Sequence, residues 1–346
     1  MAFKLETFTS LQEIPSLYDP LFSQEGCGSV FFSRPWFDLL VDHGFEHAPA
    51  IRALGVRKND TAALLLLLKD ERQSGQSLSS LSNYYSMDFA PLASNRLSPD
   101  DLQEAFSLVS HHLASDSSNW STLSLHPLPC DSPLIDNMTK AFSLNGIELL
   151  ALPNDTNWFA DTVGATPQSF SATLPTKLTN TLRRKEKAAT EEGHLSYKYV
   201  SSTAELPIGV ADYFSIYQRS WKPTEPDPNF MPLFMELCAK NRSLRLGILH
   251  MDDTPVAVQF WIVEGTTALL YKLAHDPAYD HLSVGTLLTR HMINEILSRD
   301  RPERLSFGLG NEPFKQSWMP QHTSMVTLIA HNRRKPRGLY RAWRQK

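Results

Sequence analysis

The 346-residue chain is 42% apolar and 20% charged, ordinary values that exclude wholesale disorder, and its length predicts two compact halves. A formal charge of -4 at pH 7 gives no overall pull toward nucleic acid or an anionic membrane, so either partner would need a local patch. Three scattered cysteines, Cys27, Cys130 and Cys238, exclude a disulfide framework or a cysteine-built metal site and fit a reducing cytosol.

In chain order, the opening MAFKLETFTSLQEIP has no apolar stretch after its lysine and does not read as a secretory signal. FFSRPWFDLL, residues 31–40, is an aromatic-rich helical segment. Pro49–Leu54, Ala62–Leu68 and Leu78–Tyr85 then read as strands. Ala62–Leu68, the longest apolar run, is far short of the roughly 20 residues a membrane-spanning helix needs, and reads as a buried strand. The third strand ends in the bend YYSMDFAPL. Residues 97–114 open with Ser98 and Pro99, carry acids in the first turn and show apolar spacing near 3.6, which marks a capped helix. The adjacent His111 and His112 within it cannot face one ligand. Strands at Thr122–His126 and Ile147–Leu152 complete the first half.

Residues 174–194, LPTKLTNTLRRKEKAATEEGH, place Leu174, Leu178 and Leu182 on one helical face, with Arg183, Arg184, Lys185 and Lys187 elsewhere around it. Gly193 marks the helix end. The leucines are expected to pack on the following sheet while the charges are solvated. The helical segment DYFSIYQRSW follows, then strands at Leu244–Met251, Val256–Val263 and Ala268–His275, the last ending in the bend YKLAHDPAY. A helix over Ser283–Ser298, a strand over Arg304–Gly308 and a last apolar strand, Ser324–Ala330, close this second half. The order of elements repeats at about 190 residues, which indicates a duplicated α/β domain and not a solenoid.

There is no G-x-x-x-x-G-K-[ST], no G-x-G-x-x-G after a strand, no H-E-x-x-H and no G-x-S-x-G. P-loop hydrolases, Rossmann dehydrogenases, zincins and serine hydrolases lose their support accordingly.

The segment from Tyr271 to Trp318, with Tyr271, Asp276, Tyr279, Ser283, Gly285, Gly308, Gly310, Glu312, Lys315 and Trp318 in the matching places, resembles the CelD/BcsL-like acetyltransferase family. That family is a branch of the GNAT superfamily related to the Fem-type peptidyltransferases. Arg183, Arg184, Lys185 and Gln259 upstream also fit, and FFSRPWFDLL and NYYSMDFAPL fit more loosely. Val284, Ser306, Asn311 and Phe314 depart from the pattern, which usually has proline, aspartate, an acid and tyrosine there. The resemblance implies an α/β fold of two tandem GNAT-like domains, mixed sheets flanked by helices: a degenerate one at 1–160 and a catalytic one at 165–332. A basic tail at 333–346 follows. It also implies a bacterial, cytoplasmic acyltransferase that uses acyl-CoA and no metal.

Acyl transfer needs a cradle for the donor's phosphates, hydrogen-bond donors for the carbonyl oxygen and a route for the nucleophile's proton. The helix start at Ser283, Val284, Gly285 and Thr286 presents N–H groups to a pyrophosphate. Lys315 is expected near the reaction centre between Phe314 and Trp318, with Glu312 as its partner or a base. Asp276 and Tyr279 sit at a strand end, the tyrosine a candidate acid to the leaving thiolate. Trp221, Gln259, Tyr271 and Trp318 are assigned to the acceptor pocket. The acceptor class, an amine or hydroxyl on a sugar, lipid or polysaccharide precursor, comes from the resemblance alone. Two alternatives stand beside it: an aminoacyl-tRNA-dependent Fem-type transferase, and a non-catalytic scaffold in envelope or polysaccharide assembly. No nucleic-acid partner is expected, because the chain lacks a broad basic surface. The tail NRRKPRGLYRAWRQK holds seven Lys or Arg, no acid, and Leu339, Tyr340 and Trp343, a pattern suited to peripheral contact with an anionic inner-membrane surface.

Overall fold

A computed structural model describes residues 2–22, 29–71, 77–115 and 120–333. Cys27 and most of the basic tail, including Leu339, Tyr340 and Trp343, lie outside the described residues. The chain divides into two units: Met1–Asp155 with Thr323–Lys346, and Thr156–His322.

Unit 1 contains β1 (Phe3–Phe8), α1 (Asp19–Phe22), α2 (Arg34–His43), β2 (Ala50–Lys58), β3 (Thr61–Glu71), β4 (Ser77–Ser80), β5 (Leu92–Ala93), α3 (Pro99–Ser115), β6 (Thr122–Pro129) and α4 (Pro133–Leu144). β7 (Leu149–Asp161) runs across the unit boundary. Unit 2 continues with α5 (Pro167–Thr173), α6 (Thr176–Glu192), β8 (Leu195–Val200), α7 (Leu206–Arg219), α8 (Phe230–Lys240), β9 (Leu244–Met251), β10 (Thr254–Glu264), β11 (Thr267–His275), α9 (Val284–Arg299), β12 (Arg304–Leu309) and α10 (Pro313–Trp318). The final strand is β13 (Gln321–His331).

The two units share one plan. In unit 1 an antiparallel run β1-β2-β3-β4 meets β6 in parallel; in unit 2 an antiparallel run β8-β9-β10-β11 meets β12 in parallel. A helix crosses over between the parallel strands in each, α3 in one and α9 in the other, as parallel pairing requires. Each is a mixed sheet flanked by helices, the architecture expected from the sequence.

The closing strands differ from the sequence expectation. Ser324–Ala330 was assigned to the second half, yet Met325–His331 pairs antiparallel with β6 in unit 1. Unit 2 is joined instead by the later part of β7, since Asn157–Asp161 pairs with β12, while Ile147–Leu152 lies in unit 1. Hydrophobic pattern marks Ser324–Ala330 as a strand without saying which sheet it closes, and the polar, largely exposed or half-buried β7 gives no pattern that extends it to Asp161. The third strand expected in unit 1 is also shorter, ending at Ser80, where the Ser80 and Ser82 hydroxyls donate to the His126 carbonyl at 2.8 and 2.7 Å. An Asx turn at Asn83, which accepts from the Tyr85 N–H at 2.9 Å, ends the strand there.

In unit 2 one face of the sheet is covered by α5, α6 and α9. Leu178 and Leu182 of α6 and Leu287, Leu288 and Met292 of α9 pack with Leu249, Trp261 and Leu270 from the strands. Leu174, read as the first residue of the α6 leucine face, is buried in the same cluster but sits at the end of α5. α7 lies on the opposite face, where Gly209 lets it approach Leu246 to 2.8 Å from the position of a β-carbon. Gly193 does end α6, in extended backbone. Its reason is space, for a side chain there would meet the Asp252 carboxylate and the Met251 sulfur at 2.5 and 2.7 Å.

Gly247 of β9 faces Met292 of α9 with no room for a β-carbon. Gly247→Val forces that side chain and helix outward, and overpacking of this kind costs about 1–3 kcal/mol. A urea titration should show a lower midpoint with an unchanged slope.

Candidate active site

β11 and β12 are hydrogen-bonded neighbours only at their starts, Thr267–Leu269 against Arg304–Ser306. From Leu270 onward the strands part, and β11 runs six more residues along an edge that β12 does not cover. Unpaired backbone groups in the middle of a sheet are costly unless something binds them, which makes this opening the first place to look for a ligand. Irregular backbone accompanies the parting on both strands. Tyr271 is an extra residue in β11, since Phe260 faces Lys272 and Trp261 faces Leu270. In β12, Phe307 and Gly308 together oppose Trp158, and Gly308 takes φ 63°, a left-handed conformation that glycine adopts without strain.

The chain leaves β11 through a 3-10 turn over Pro277–Leu282 and enters α9 at Ser283, whose φ of 55° is again left-handed. Val284, Gly285 and Thr286 form the first turn of α9 as expected. The Thr286 N–H is taken by the Ser283 carbonyl at 2.9 Å, so Val284 and Gly285 carry the N–H groups available for an anion. Val284, where the resemblance leads one to expect proline, is fully buried in the core. Gly285 is glycine for a reason the sequence did not give: a β-carbon would lie 3.2 Å from Nδ1 of His275. His275 is the residue that sequence reasoning missed. Its Nε2 is 2.7 Å from the Asp280 carboxylate, and its ring lies 4.5 Å from that of Trp221, so it joins the start of α9 to the segment after α7.

Gln259 is buried beneath this turn. Its Nε2 donates to the Thr289 hydroxyl at 2.6 Å and to the Gly285 carbonyl at 3.3 Å, while its Oε1 accepts from the Trp261 indole at 2.9 Å. Thr289 also donates to the Gly285 carbonyl, at 2.8 Å. Gln259 was assigned to the acceptor pocket; its side chain instead bolts the first turn of α9 to β10. Tyr271, also assigned there, is 6% exposed and packs edge-on against Phe234 and Phe260. Trp221 is more than half exposed and remains available to a ligand.

Asp276 is occupied on both oxygens. One accepts from the Ala278 N–H at 3.0 Å and the other pairs with Arg219 at 3.2 Å, so its position serves the bend. Tyr279 is partly buried against the α9 side of the core. Lys315, on α10, donates to the Leu309 carbonyl and lies 3.3 Å from the Glu312 carboxylate, which is itself largely exposed. Gly310, at φ 126°, makes room for that ammonium, 2.7 Å from where its β-carbon would sit. Phe314 stacks on Phe307 and meets Trp318 at 6.4 Å. The Trp318 indole N–H is buried without a hydrogen-bond partner. Two departures from the family pattern have structural partners: Ser306 donates to the Asn157 side chain at 2.8 Å, and Asn311 accepts from Gln316 at 3.0 Å. Among the described residues, no three His, Cys, Asp or Glu side chains converge to hold a metal.

A mixed sheet whose fourth and fifth strands part around the start of a crossover helix is the GNAT fold. Residues 176–316, all within unit 2, match the model of the acetyltransferase (GNAT) domain. No curated protein matches the chain in sequence. Among solved structures, FemX shares the fold with a TM-score of 0.61 at 8% identity, over 97% of this chain and 99% of that one. A conserved protein of unknown function from Bacteroides thetaiotaomicron VPI-5482 scores 0.58 at 10% identity, over 92% and 98%. L-PGS from Bacillus licheniformis scores 0.54 at 10% identity, over 93% of each chain.

Replacing Gln259 by Leu leaves the Trp261 indole N–H without its acceptor in a dry core, while the Thr289 hydroxyl still serves the Gly285 carbonyl. A buried group so orphaned costs about 1–3 kcal/mol. Chemical denaturation should register a loss of that order, and exchange of the amide hydrogens in the first turn of α9 should accelerate.

Proposed function

We propose that unit 2 transfers an acyl group from acyl-CoA to an amine or hydroxyl of a sugar, lipid or polysaccharide precursor, in the manner of the CelD/BcsL-like branch. The observation that carries this reading is the parting of β11 and β12 onto the N-terminus of α9. An extended thioester arm can add its amides to the uncovered edge of β11, and its pyrophosphate can take the Val284 and Gly285 N–H groups, where the helix dipole favours negative charge. Lys315 is the donor to the developing oxyanion, its ammonium positioned by the Leu309 carbonyl and the Glu312 carboxylate. Tyr279 is the acid to the leaving thiolate, and Trp221 lines the acceptor side. Asp276, Gln259 and Tyr271 keep these groups in place.

Unit 1 has the same plan with its opening stitched shut. Ser80 and Ser82 both donate to the His126 carbonyl, and the Ser80 oxygen also accepts from the His126 N–H at 3.1 Å. Those bonds support its reading as the degenerate copy, which binds no donor.

The shared fold with FemX keeps an aminoacyl-tRNA donor as a second reading. It predicts affinity that falls steeply with salt, because many phosphates would be contacted.

No helix among the described residues is long and apolar enough to cross a membrane. A cytoplasmic protein with a peripheral membrane contact through the tail is part of this proposal. The first tail residues belong to unit 1 instead: Asn332 donates to the Trp120 carbonyl at 3.1 Å, and Arg333 pairs with Glu148.

Isothermal titration with acetyl-CoA and longer acyl-CoAs tests the donor. Thr286→Glu adds a charge that helix starts favour while opposing a pyrophosphate, so the fold should persist and affinity should fall at least about tenfold, or 1.4 kcal/mol. Equal affinity in the folded variant removes the cradle from the start of α9. In steady-state assays Lys315→Ala is expected to lower turnover by about 100- to 1,000-fold with little change in acyl-CoA affinity. Near wild-type turnover would refute its role.

A further inference from the structure

The segment 220–229, between α7 and α8, is fastened to β11 at two points three residues apart. Glu225 accepts from the Lys272 ammonium at 2.6 Å, the two side chains only 4% and 9% exposed. Trp221 lies against His275. Lys222 sits between these anchors, its ammonium 5.5 Å from the centre of the Trp221 ring. The neighbouring cations are matched: Lys272 by Glu225, Lys315 by Glu312, Arg219 by Asp276. No carboxylate among the described residues stands within ion-pairing distance of Lys222.

That arrangement is unfavourable for the free protein. Burial holds the Lys222 ammonium below the usual lysine range, and the charges of Lys272 and Lys315 push the same way against the opposing pull of Glu312 and Glu225. A half-buried cation beside like charges is relieved by an anion. The exposed indole of Trp221 next to it offers a flat apolar surface of the kind that covers a sugar face or a hydrocarbon chain.

We propose that the acceptor of the acyl group carries an acid group, a carboxylate or a phosphate, which Lys222 binds while the acceptor's body rests on Trp221. This rests on reading unit 2 as the acyltransferase. A lysine is a point charge that suits either anion, so the two sources are separated by experiment. The two anchors on β11 hold the site over the uncovered edge where the donor is placed, which brings an acceptor bound there to the same strand.

The test is direct binding of four probes to the full chain, without donor. Glucosamine 6-phosphate is compared with glucosamine, and glutamate with glutamine. Titration should show at least one acidic probe binding about tenfold or more tightly than its neutral counterpart, as expected of a hydrogen bond to a charged group. Which pair shows the difference assigns phosphate or carboxylate. Lys222→Ala should erase that difference and Lys222→Arg should retain most of it, with circular dichroism unchanged in both. Acidic and neutral probes of equal affinity in the wild type would overturn the proposal, as would a preference that survives Lys222→Ala. Acetyl-CoA is titrated separately into the same variants. Failure of the wild type to bind it counts against the acyltransferase reading alone, whereas weakened acetyl-CoA binding in Lys222→Ala would move Lys222 to the donor side and overturn the acceptor assignment.

Discussion

The parting of two parallel strands after three paired residues is the constraint on which the rest of unit 2 depends. A parallel pair in a buried sheet normally runs its full length, because each unpaired N–H or carbonyl loses a partner. Here β11 and β12 separate at Leu270 and Phe307, and the local sequence is shaped to allow it. The extra residue at Tyr271 and the left-handed Gly308 each add twist. Gln259, Thr289 and Trp261 then fix the carbonyl of Gly285, so the helix that starts in the opening cannot drift into it. The opening is thus held by a dry hydrogen-bond network and not by an exposed loop.

The duplicated plan shows how little is needed to remove such an opening. In unit 1 two serine hydroxyls converge on the His126 carbonyl, and the Ser80 oxygen takes the His126 N–H. The corresponding bends also differ in their partners. Asp276 pairs with Arg219, while the Asp88 carboxyl of the first bend is pushed up to about 7 by burial against the pull of its hydrogen bond from the Phe89 N–H. One copy therefore keeps an anchored bend, tied to Arg219 and to the Ala278 N–H, beside an open edge. The other keeps a carboxyl poised near neutrality beside a closed one.

Lys315 and Lys222 illustrate two fates for a lysine near a cleft. Lys315 is held by a carbonyl and a carboxylate, so its position is set and its charge is supported. Lys222 has neither, and its charge is opposed by its surroundings. A fixed ammonium suits the stabilisation of charge that develops at one place; an unmatched one suits the recognition of charge that arrives with a ligand.

Much of this was determined by sequence alone. Periodicity of two and of about 3.6 located the strands at 244–251, 256–263 and 268–275 and the helix from Ser283, because side chains on buried faces must repeat with the geometry of the element that carries them. The recurrence of that order revealed the duplication, and the resemblance of the Tyr271–Trp318 segment led to the opening. Tertiary structure alone decided which strand closes which unit, since pairing depends on partners about 200 residues away for β13 and about 150 for β7. It also decided what Gln259, Asp276 and Gly285 do. Their neighbours, Thr289, Arg219 and His275, come from other elements, and a side chain's role is fixed by what it touches once the chain has folded.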